Sequence, residues 1–215
     1  MPRQNRVNPW GEIAASPARG AWMGNRGALH DAAGRIVRPH RGRRWIICLL
    51  VFKDRRRQVM TPGQYTELFF LDEATALAAG HRPCAECQRP RFELFRRTWA
   101  AANPDLGHRG IPAATVLDAA LHPQRVDASG QKVTYAARLA DLPAGTMVVG
   151  SEPGEAWLVG AGRLWRWSFA GYRPGPVWDG ERMVNVLAPI SVVRTLAAGY
   201  SVQIHPSAEA VGSGQ

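Results

Sequence analysis

Two cysteines, Cys84 and Cys87, lie three positions apart in the stretch Gly80-His81-Arg82-Pro83-Cys84-Ala85-Glu86-Cys87. Two thiolates at this spacing can grip one tetrahedral metal ion. The residue before a proline is biased towards extended backbone, so Arg82-Pro83 favours a straight entry into the turn. Redox Cys-x-x-Cys pairs open a helix after a strand, whereas this pair follows a predicted helix. The pattern therefore predicts a zinc site.

A strand and a short helix must position this turn. Residues 65–71 read as a strand, and Asp72 is placed to cap a helix over residues 73–79. Glu73 in the first turn suits the helix dipole. Gly80 is placed at the position after the C-cap, where glycine commonly ends a helix. The apolar run over residues 45–52 predicts a buried strand that forms a hairpin with residues 65–71.

The segment from Phe69 to Cys87 resembles the second half of the Ada-type zinc-binding domain of bacterial DNA alkylation-repair and response proteins. The shared pattern is a strand, a helix ending in Ala-Ala-Gly, one variable residue and Arg-Pro-Cys-x-x-Cys, and the resemblance covers residues 45–90. It implies a four-ligand zinc site in which Cys84 and Cys87 form the second pair. Cys48 and His30 are expected to supply the first pair, with His40 and His81 as alternatives.

The first ligand pair departs from the family pattern, because Cys48 is the one remaining cysteine. Cys48 could equally be a small core residue of its strand, and His30 an exposed loop histidine. His81 occupies the family's variable position and is expected to pack. In the alkylation-repair protein a zinc thiolate accepts a methyl group from a DNA phosphotriester. Cys48 is the counterpart here, but its apolar neighbours argue against access to it.

Positive charge is concentrated at one end of the chain. The net charge is +10, and residues 1–60 carry 13 Arg and Lys against 3 Asp and Glu, while residues 61–215 carry 14 of each. A local field of this kind suits a polyanion such as nucleic acid. The alternative is a solvated face in an arginine-rich composition, because the chain has two lysines. The expected nucleic-acid contacts are Arg35, Arg38, Arg41, Arg43, Arg44, Lys53, Arg55, Arg56 and Arg57.

Three further residues are candidates for acid–base chemistry. Asp118 and His122 are four apart on a predicted helix over residues 113–121, so they share a face. The alternative is that Pro123 ends this helix and His122 only caps it. Glu67 alternates with two aromatic residues and is expected to point inward, where burial would raise its pKa and suit a base. An ion pair with an arginine is the other interpretation of Glu67.

The 215 residues, 46% of them hydrophobic, suffice for one large or two small cores. We expect an α+β fold with a small zinc-stabilised strand-helix domain followed by a β-rich, barrel-like C-terminal domain. The β-rich C-terminal domain is predicted from short strands that alternate with Gly/Pro turns. Its aromatic residues Trp165, Trp167 and Phe169 could form a core or a base-stacking platform. The predicted segments are an irregular basic arm (1–28), the Ada-like domain with its following helix (29–107), a helical connector (108–125), the β-rich domain (126–207) and a disordered tail (208–215).

These features predict a zinc-binding, nucleic-acid-binding protein of bacterial type, acting in DNA repair or modification, with DNA expected over RNA. One alternative is a hydrolase acting on nucleic acid or nucleotides, with Glu67 or Asp118/His122 as acid and base. Another is an interaction protein whose zinc is purely structural. The longest apolar run, residues 45–52, is too short to span a bilayer, and no signal peptide is evident. We therefore expect a cytoplasmic protein with no membrane partner.

Overall fold

The computed structural model describes residues 1–53, 58–177 and 179–208. Its helices and two six-stranded sheets confirm the α+β prediction. The strands of the described residues are β1 (Gln4–Val7), β2 (Ile13–Ala15), β3 (Trp22–Asn25), β4 (Ile46–Cys48), β5 (Leu68–Phe70), β6 (Arg82–Pro83), β7 (Tyr135–Arg138), β8 (Met147–Val149), β9 (Ala156–Val159), β10 (Arg163–Ser168), β11 (Gly171–Val177) and β12 (Met183–Val186). The α-helices are α1 (Glu73–Ala78), α2 (Arg89–Ala102), α3 (Ala114–Arg125) and α4 (Ile190–Ala197). None of the helices in these ranges has the length and apolarity to cross a membrane.

The first sheet has the strand order β2-β1-β5-β3-β4-β6. The predicted hairpin is wrong, because β3 lies between β4 and β5: Met23 pairs with both Cys48 and Phe69. Gly24 makes this close insertion possible. A Cβ on Gly24 would lie 2.2 Å from the Ile46 carbonyl oxygen, so a side chain there would force the strands apart.

The prediction of an irregular arm over residues 1–28 is wrong. This segment supplies β1, β2 and β3, and Val7 is fully buried in the core. Strands of three or four residues are too short to show an alternating pattern, and the Gly, Asn and Pro residues between them dominate the sequence. The N-terminal segment therefore belongs to the sheet that carries Cys48.

Helix α1 forms as its caps predict. The Asp72 carboxylate accepts hydrogen bonds from the Thr75 amide at 2.8 Å and the Thr75 hydroxyl at 2.7 Å. At the other end Gly80 has φ +89°, and the amides of Gly80 and His81 donate to the carbonyls of Leu77 and Ala76, each at 2.9 Å. This is a Schellman motif. It turns the chain directly into β6 and the cysteine turn.

Helix α3 runs further than the sequence indicated. It continues through Pro123 to Arg125, whereas we expected it to end at His122-Pro123. Proline lacks an amide proton, but near a helix end few hydrogen bonds depend on it. The extension places Arg125 on the buried face of the helix.

The second sheet is antiparallel, with the order β11-β10-β9-β8-β12-β7. Its end strands do not pair with each other within the described ranges, so the β-rich part is an open sheet and the predicted barrel-like closure is not found there. The sequence pattern missed β11, because Pro174-Gly175-Pro176 reads as a turn. An edge strand tolerates prolines. Gly175 lets β11 lie against Trp157, since an added Cβ would meet that ring at 2.0 Å.

The two sheets pack through a shared core. Leu71, Ala74 and Ala78 of the first half cluster with Met147 and Leu158 of the second. Trp165 belongs to the same cluster, and Trp167 packs against it, which fits the core interpretation of these aromatics. Helix α4 packs in a separate core cluster with α2, where Val192 and Leu196 are buried. The predicted domain limits stay a prediction. The described tail residue Ala208 lies in a short 3-10 helix, and residues 209–215 lie outside the described ranges.

Candidate metal centre and its cavity

Parallel pairing of β4 with β6 brings Cys48 to the Cys84–Cys87 turn. Ile46 pairs with Arg82 and Ile47 with Pro83, and the Cys84 amide donates to the Ile47 carbonyl at 2.9 Å. The Gln88 side chain donates to the same carbonyl at 2.8 Å and fixes the far side of the turn. Cys48 follows Ile47 and Cys84 follows Pro83, so the pairing brings these two cysteines together.

The sulfur atoms of Cys48, Cys84 and Cys87 all lie within 4.8 Å of one another. Around a tetrahedral zinc ion with Zn–S bonds of about 2.3 Å, sulfur atoms are about 3.8 Å apart. Three cysteines at these distances could hold a metal ion. The prediction that Cys48 lies with Cys84 and Cys87 agrees with this arrangement.

The thiols are linked by shared protons. Hydrogen bonding with Cys48 and then Cys87 lowers the pKa of Cys84 to about 2, whereas the contacts with Cys84 and Cys87, together with burial, raise the pKa of Cys48. The Glu86 amide also points at the Cys84 sulfur, at 3.4 Å. An amide directed at sulfur favours the thiolate. A metal ion would replace the shared protons and hold all three sulfurs as thiolates.

His30, the predicted fourth ligand, is not a member of this cysteine group within the described residues. The residue is 8% exposed, with Nδ1 2.6 Å from the Thr66 hydroxyl and Nε2 3.2 Å from the Thr61 carbonyl. The Leu29 amide donates to the same hydroxyl, so Thr66 fixes the turn and its histidine together. His81 is packed as expected, with its ring centre 4.7 Å from Phe70. Within the described ranges, the candidate ligand group has three members.

The three cysteines form part of the wall of a cavity of about 820 Å³. Arg43 and Arg44 line it, as do Glu67 and Asp118. Glu67 is buried, as expected, and its Oε2 accepts a hydrogen bond from the Met60 amide at 2.7 Å. The alternative ion pair of Glu67 with an arginine is not found within the described residues. Basic and acidic side chains thus share one cavity with the thiols.

Asp118 and His122 have different neighbours. Asp118 accepts two hydrogen bonds from Arg82, at 2.7 and 3.1 Å, and lies 3.5 Å from an Arg125 nitrogen. The His122 ring lies against His40, with ring centres 5.5 Å apart. Burial, followed by the charge of Arg125, lowers the pKa of His122, which favours the neutral ring. The expected acid–base pair is instead a carboxylate held by arginines and a separate neutral imidazole.

The predicted basic residues are exposed wherever the structure describes them. These are Arg35, Arg38, Arg41, Arg43, Arg44 and Lys53. Arg35 is bound to Asp31 at 2.8 Å, which reduces its availability to a partner. Arg43 and Arg44 are the two that line the cysteine cavity. Arg55, Arg56 and Arg57 lie outside the described residues.

The sequence analysis does not identify Arg82 as a site residue. Arg82 is 2% exposed, and it lines the cysteine cavity. Its partner Asp118 is 36 positions away. The available signal was an arginine in an otherwise buried strand, which requires a buried anion.

The chain matches no protein-family model, no curated protein and no solved structure.

Proposed function

We propose that this protein holds zinc on Cys48, Cys84 and Cys87 and binds nucleic acid at the rim of the same cavity. The observation that carries the proposal is the position of the three thiols in a wall shared with Arg43 and Arg44. The resemblance of the cysteine turn to Ada-type domains supports the same conclusion.

Zinc suits this donor set. Thiolates are soft ligands, and four-coordinate zinc with mainly cysteine ligands is the usual structural site. Zinc with three thiolates carries a net negative charge. Arg43 and Arg44 at the cavity wall offset that charge and leave the rim attractive to phosphates. DNA as the target, and a role in repair or modification, rest on the resemblance alone.

Salt-dependent binding to duplex DNA tests the proposal. Replacing Arg43 and Arg44 by glutamine removes two cationic contacts, so affinity should fall and the slope of log K against log salt should become shallower by about 2. The matched control is Arg109→Gln/Arg173→Gln, which removes equal charge from exposed positions outside the cavity. Equal losses in the two double variants, or binding indifferent to salt, would remove the phosphate role of the rim.

A hydrolase is the second candidate, and one observation favours it. Glu67 and Asp118 line the cavity that holds the three thiols, and catalytic zinc sites use three protein ligands and an open position. Bound zinc would supply Lewis-acid chemistry there. Glu67, which one amide already orients, would accept a proton from the nucleophile.

Single-turnover assays on a DNA duplex and on single-stranded DNA separate the two candidates. The hydrolase predicts that Glu67→Gln loses turnover but keeps binding, while His122→Ala, outside this cavity, keeps both. Absence of turnover in metal-loaded wild type would leave the binding function standing alone.

A further inference from the structure

A second cavity, of about 590 Å³, is lined by four Arg and Lys side chains: Arg26, Arg125 and Lys132, which are not exposed, and the exposed Arg38. None of its lining residues belongs to the cysteine cavity. The acidic residue on its described wall is Glu12, which is exposed and accepts a hydrogen bond from Asn8 at 2.7 Å. The cavity therefore gathers positive charge with little to neutralise it.

Arg26 is 2% exposed and has no carboxylate partner among the residues described by the structure. One terminal nitrogen donates to the Gly11 carbonyl at 2.6 Å, and the guanidinium lies 4.8 Å from the Trp45 ring centre. Its Nε has no hydrogen-bond partner among the described residues. A buried, unpaired guanidinium is costly, so this arrangement indicates a missing anion.

Arg125 meets the Trp45 ring as well, at 5.2 Å, and is fully buried. Nη1 donates to the Arg43 carbonyl at 2.7 Å, while Nε has no hydrogen-bond partner in the part of the chain that the structure describes. Its nearest carboxylate, Asp118, already accepts two hydrogen bonds from Arg82. One carboxylate shared by two arginines leaves positive charge uncompensated.

Lys132 completes the group, with its ammonium donating to the Ala78 carbonyl. Burial, and then repulsion by Arg26 and Arg125, lowers the pKa of Lys132 to about 7. Burial lowers the pKa of Arg26 to about 9 and that of Arg125 to about 10. Nearby His81 is held neutral by burial and by the same three cations. The charged form of Lys132 is thus disfavoured by Arg26 and Arg125 until an anion enters.

We propose that this cavity binds a phosphate monoester of mononucleotide size, with its phosphate held by Arg26, Arg125 and Lys132. A dianion matches several cations better than a carboxylate does, and guanidinium groups bind phosphate oxygens in pairs. The cavity is larger than a phosphate. Trp10, Ile36 and Val37 on its wall offer apolar contacts for the organic part. The source is a free nucleotide or the terminal phosphate of a nucleic-acid strand.

Calorimetry on the full chain with four probes tests this site. The probes are dAMP, deoxyadenosine, and one oligonucleotide with and without a 5′-phosphate. dAMP or the 5′-phosphorylated strand should bind saturably and more tightly than its unphosphorylated counterpart. Lys132→Gln should weaken that binding about tenfold or more, because a charged hydrogen bond is lost. Arg173→Gln, an exposed position with the same charge change, should bind as wild type.

Comparing the affinities of the four probes identifies the source of the phosphate. Binding of dAMP alone assigns a free nucleotide, and tighter binding of the 5′-phosphorylated strand assigns a strand terminus. Equal binding of deoxyadenosine and dAMP, no binding of any phosphorylated probe by folded wild type, or wild-type affinity in Lys132→Gln would overturn the site. Lys132→Gln should keep its metal content and its Arg43-dependent duplex binding, so this failure is distinguishable from failure of the zinc proposal.

Discussion

Trp45 lines the second cavity beside two of its cations. It precedes β4, and its ring meets the guanidinium groups of Arg26 and Arg125. Each such contact stabilises by about 0.5–2 kcal/mol, which offsets part of the cost of burying the cations. The rings of His40 and His81 also lie against Trp45, at 5.2 and 5.4 Å. The aromatic ring partly substitutes for a carboxylate and leaves the charges available.

The lowered pKa of Lys132, about 7, has a measurable consequence for stability. Below pH 7 the lysine is protonated in the folded and unfolded chains. Between pH 7 and the unfolded value of about 10.4, the unfolded chain binds the extra proton, so stability rises with pH by up to about 1.4 kcal/mol per unit. The facing groups are Arg26, Arg125, His81 and the Ala78 carbonyl.

We predict that Lys132→Met is more stable than wild type at pH 7 and gains less stability on going to pH 10. Urea unfolding across this range gives the two slopes, and subtracting them removes titrations common to both proteins. Parallel slopes would show that Lys132 titrates normally.

The C-terminal glycines of two helices can be compared directly. Helices α1 and α4 both end in Schellman motifs with glycine after the C-cap: Gly80 at φ +89° and Gly199 at φ +99°. An added Cβ on Gly199 meets nothing, whereas one on Gly80 would lie 2.7 Å from Arg125 Cγ. The turn after α1 therefore also sets the position of a phosphate-site residue.

We predict that Gly199→Ala costs about 1–2 kcal/mol, the price of a left-handed backbone for a residue with a Cβ, and that Gly80→Ala costs more. The excess arises because Arg125 must move. Thermal unfolding measures the stability losses, and dAMP binding should weaken in Gly80→Ala alone. Equal stability losses would mean that the Arg125 contact is easily relieved.

Local signals explain which elements could be predicted. Helix α1 is specified by Asp72 and Gly80, and the helix expected after the cysteine turn forms as α2, whose apolar residues recur at helical spacing. The insertion of β3 between β4 and β5 depends on contacts with Gly24 that no local pattern encodes.

Some residues of the candidate site also have a local sequence signal, and others do not. The Cys84–Cys87 spacing is local, and Cys48 could be proposed because cysteines are few. His30 carries no such local signal, because a histidine ring that hydrogen-bonds Thr66 looks the same in sequence as a ligand. The buried cations were missed because Arg26, Arg125 and Lys132 meet only after folding.

The acidic start of α1 joins the C-terminal part of the chain to the first half of the molecule. The Tyr172 hydroxyl donates to Asp72 at 2.8 Å, and the Tyr200 hydroxyl donates to Glu73 at 2.6 Å. The His205 amide donates to Asp72 at 3.0 Å. These bonds link the C-terminal sheet and segment to the helix that leads into the cysteine turn. We therefore expect the described regions to unfold together.

We predict that Tyr172→Phe lowers stability by about 1–3 kcal/mol, because a buried carboxylate loses a donor. Far-ultraviolet circular dichroism and tryptophan fluorescence should report one coincident transition in wild type and variant. Separate transitions in wild type would contradict this coupling, since they would show that the second sheet melts alone.

The metal content of the purified protein, measured beside Cys48→Ser, tests whether the three cysteines form a zinc centre. We predict one zinc per chain in wild type and loss of that zinc in the variant, because Cys48 supplies one of three thiolates. Arg173→Gln controls for handling and should keep its zinc. Folded wild type without bound metal, or undiminished zinc in Cys48→Ser, would contradict the three-cysteine centre.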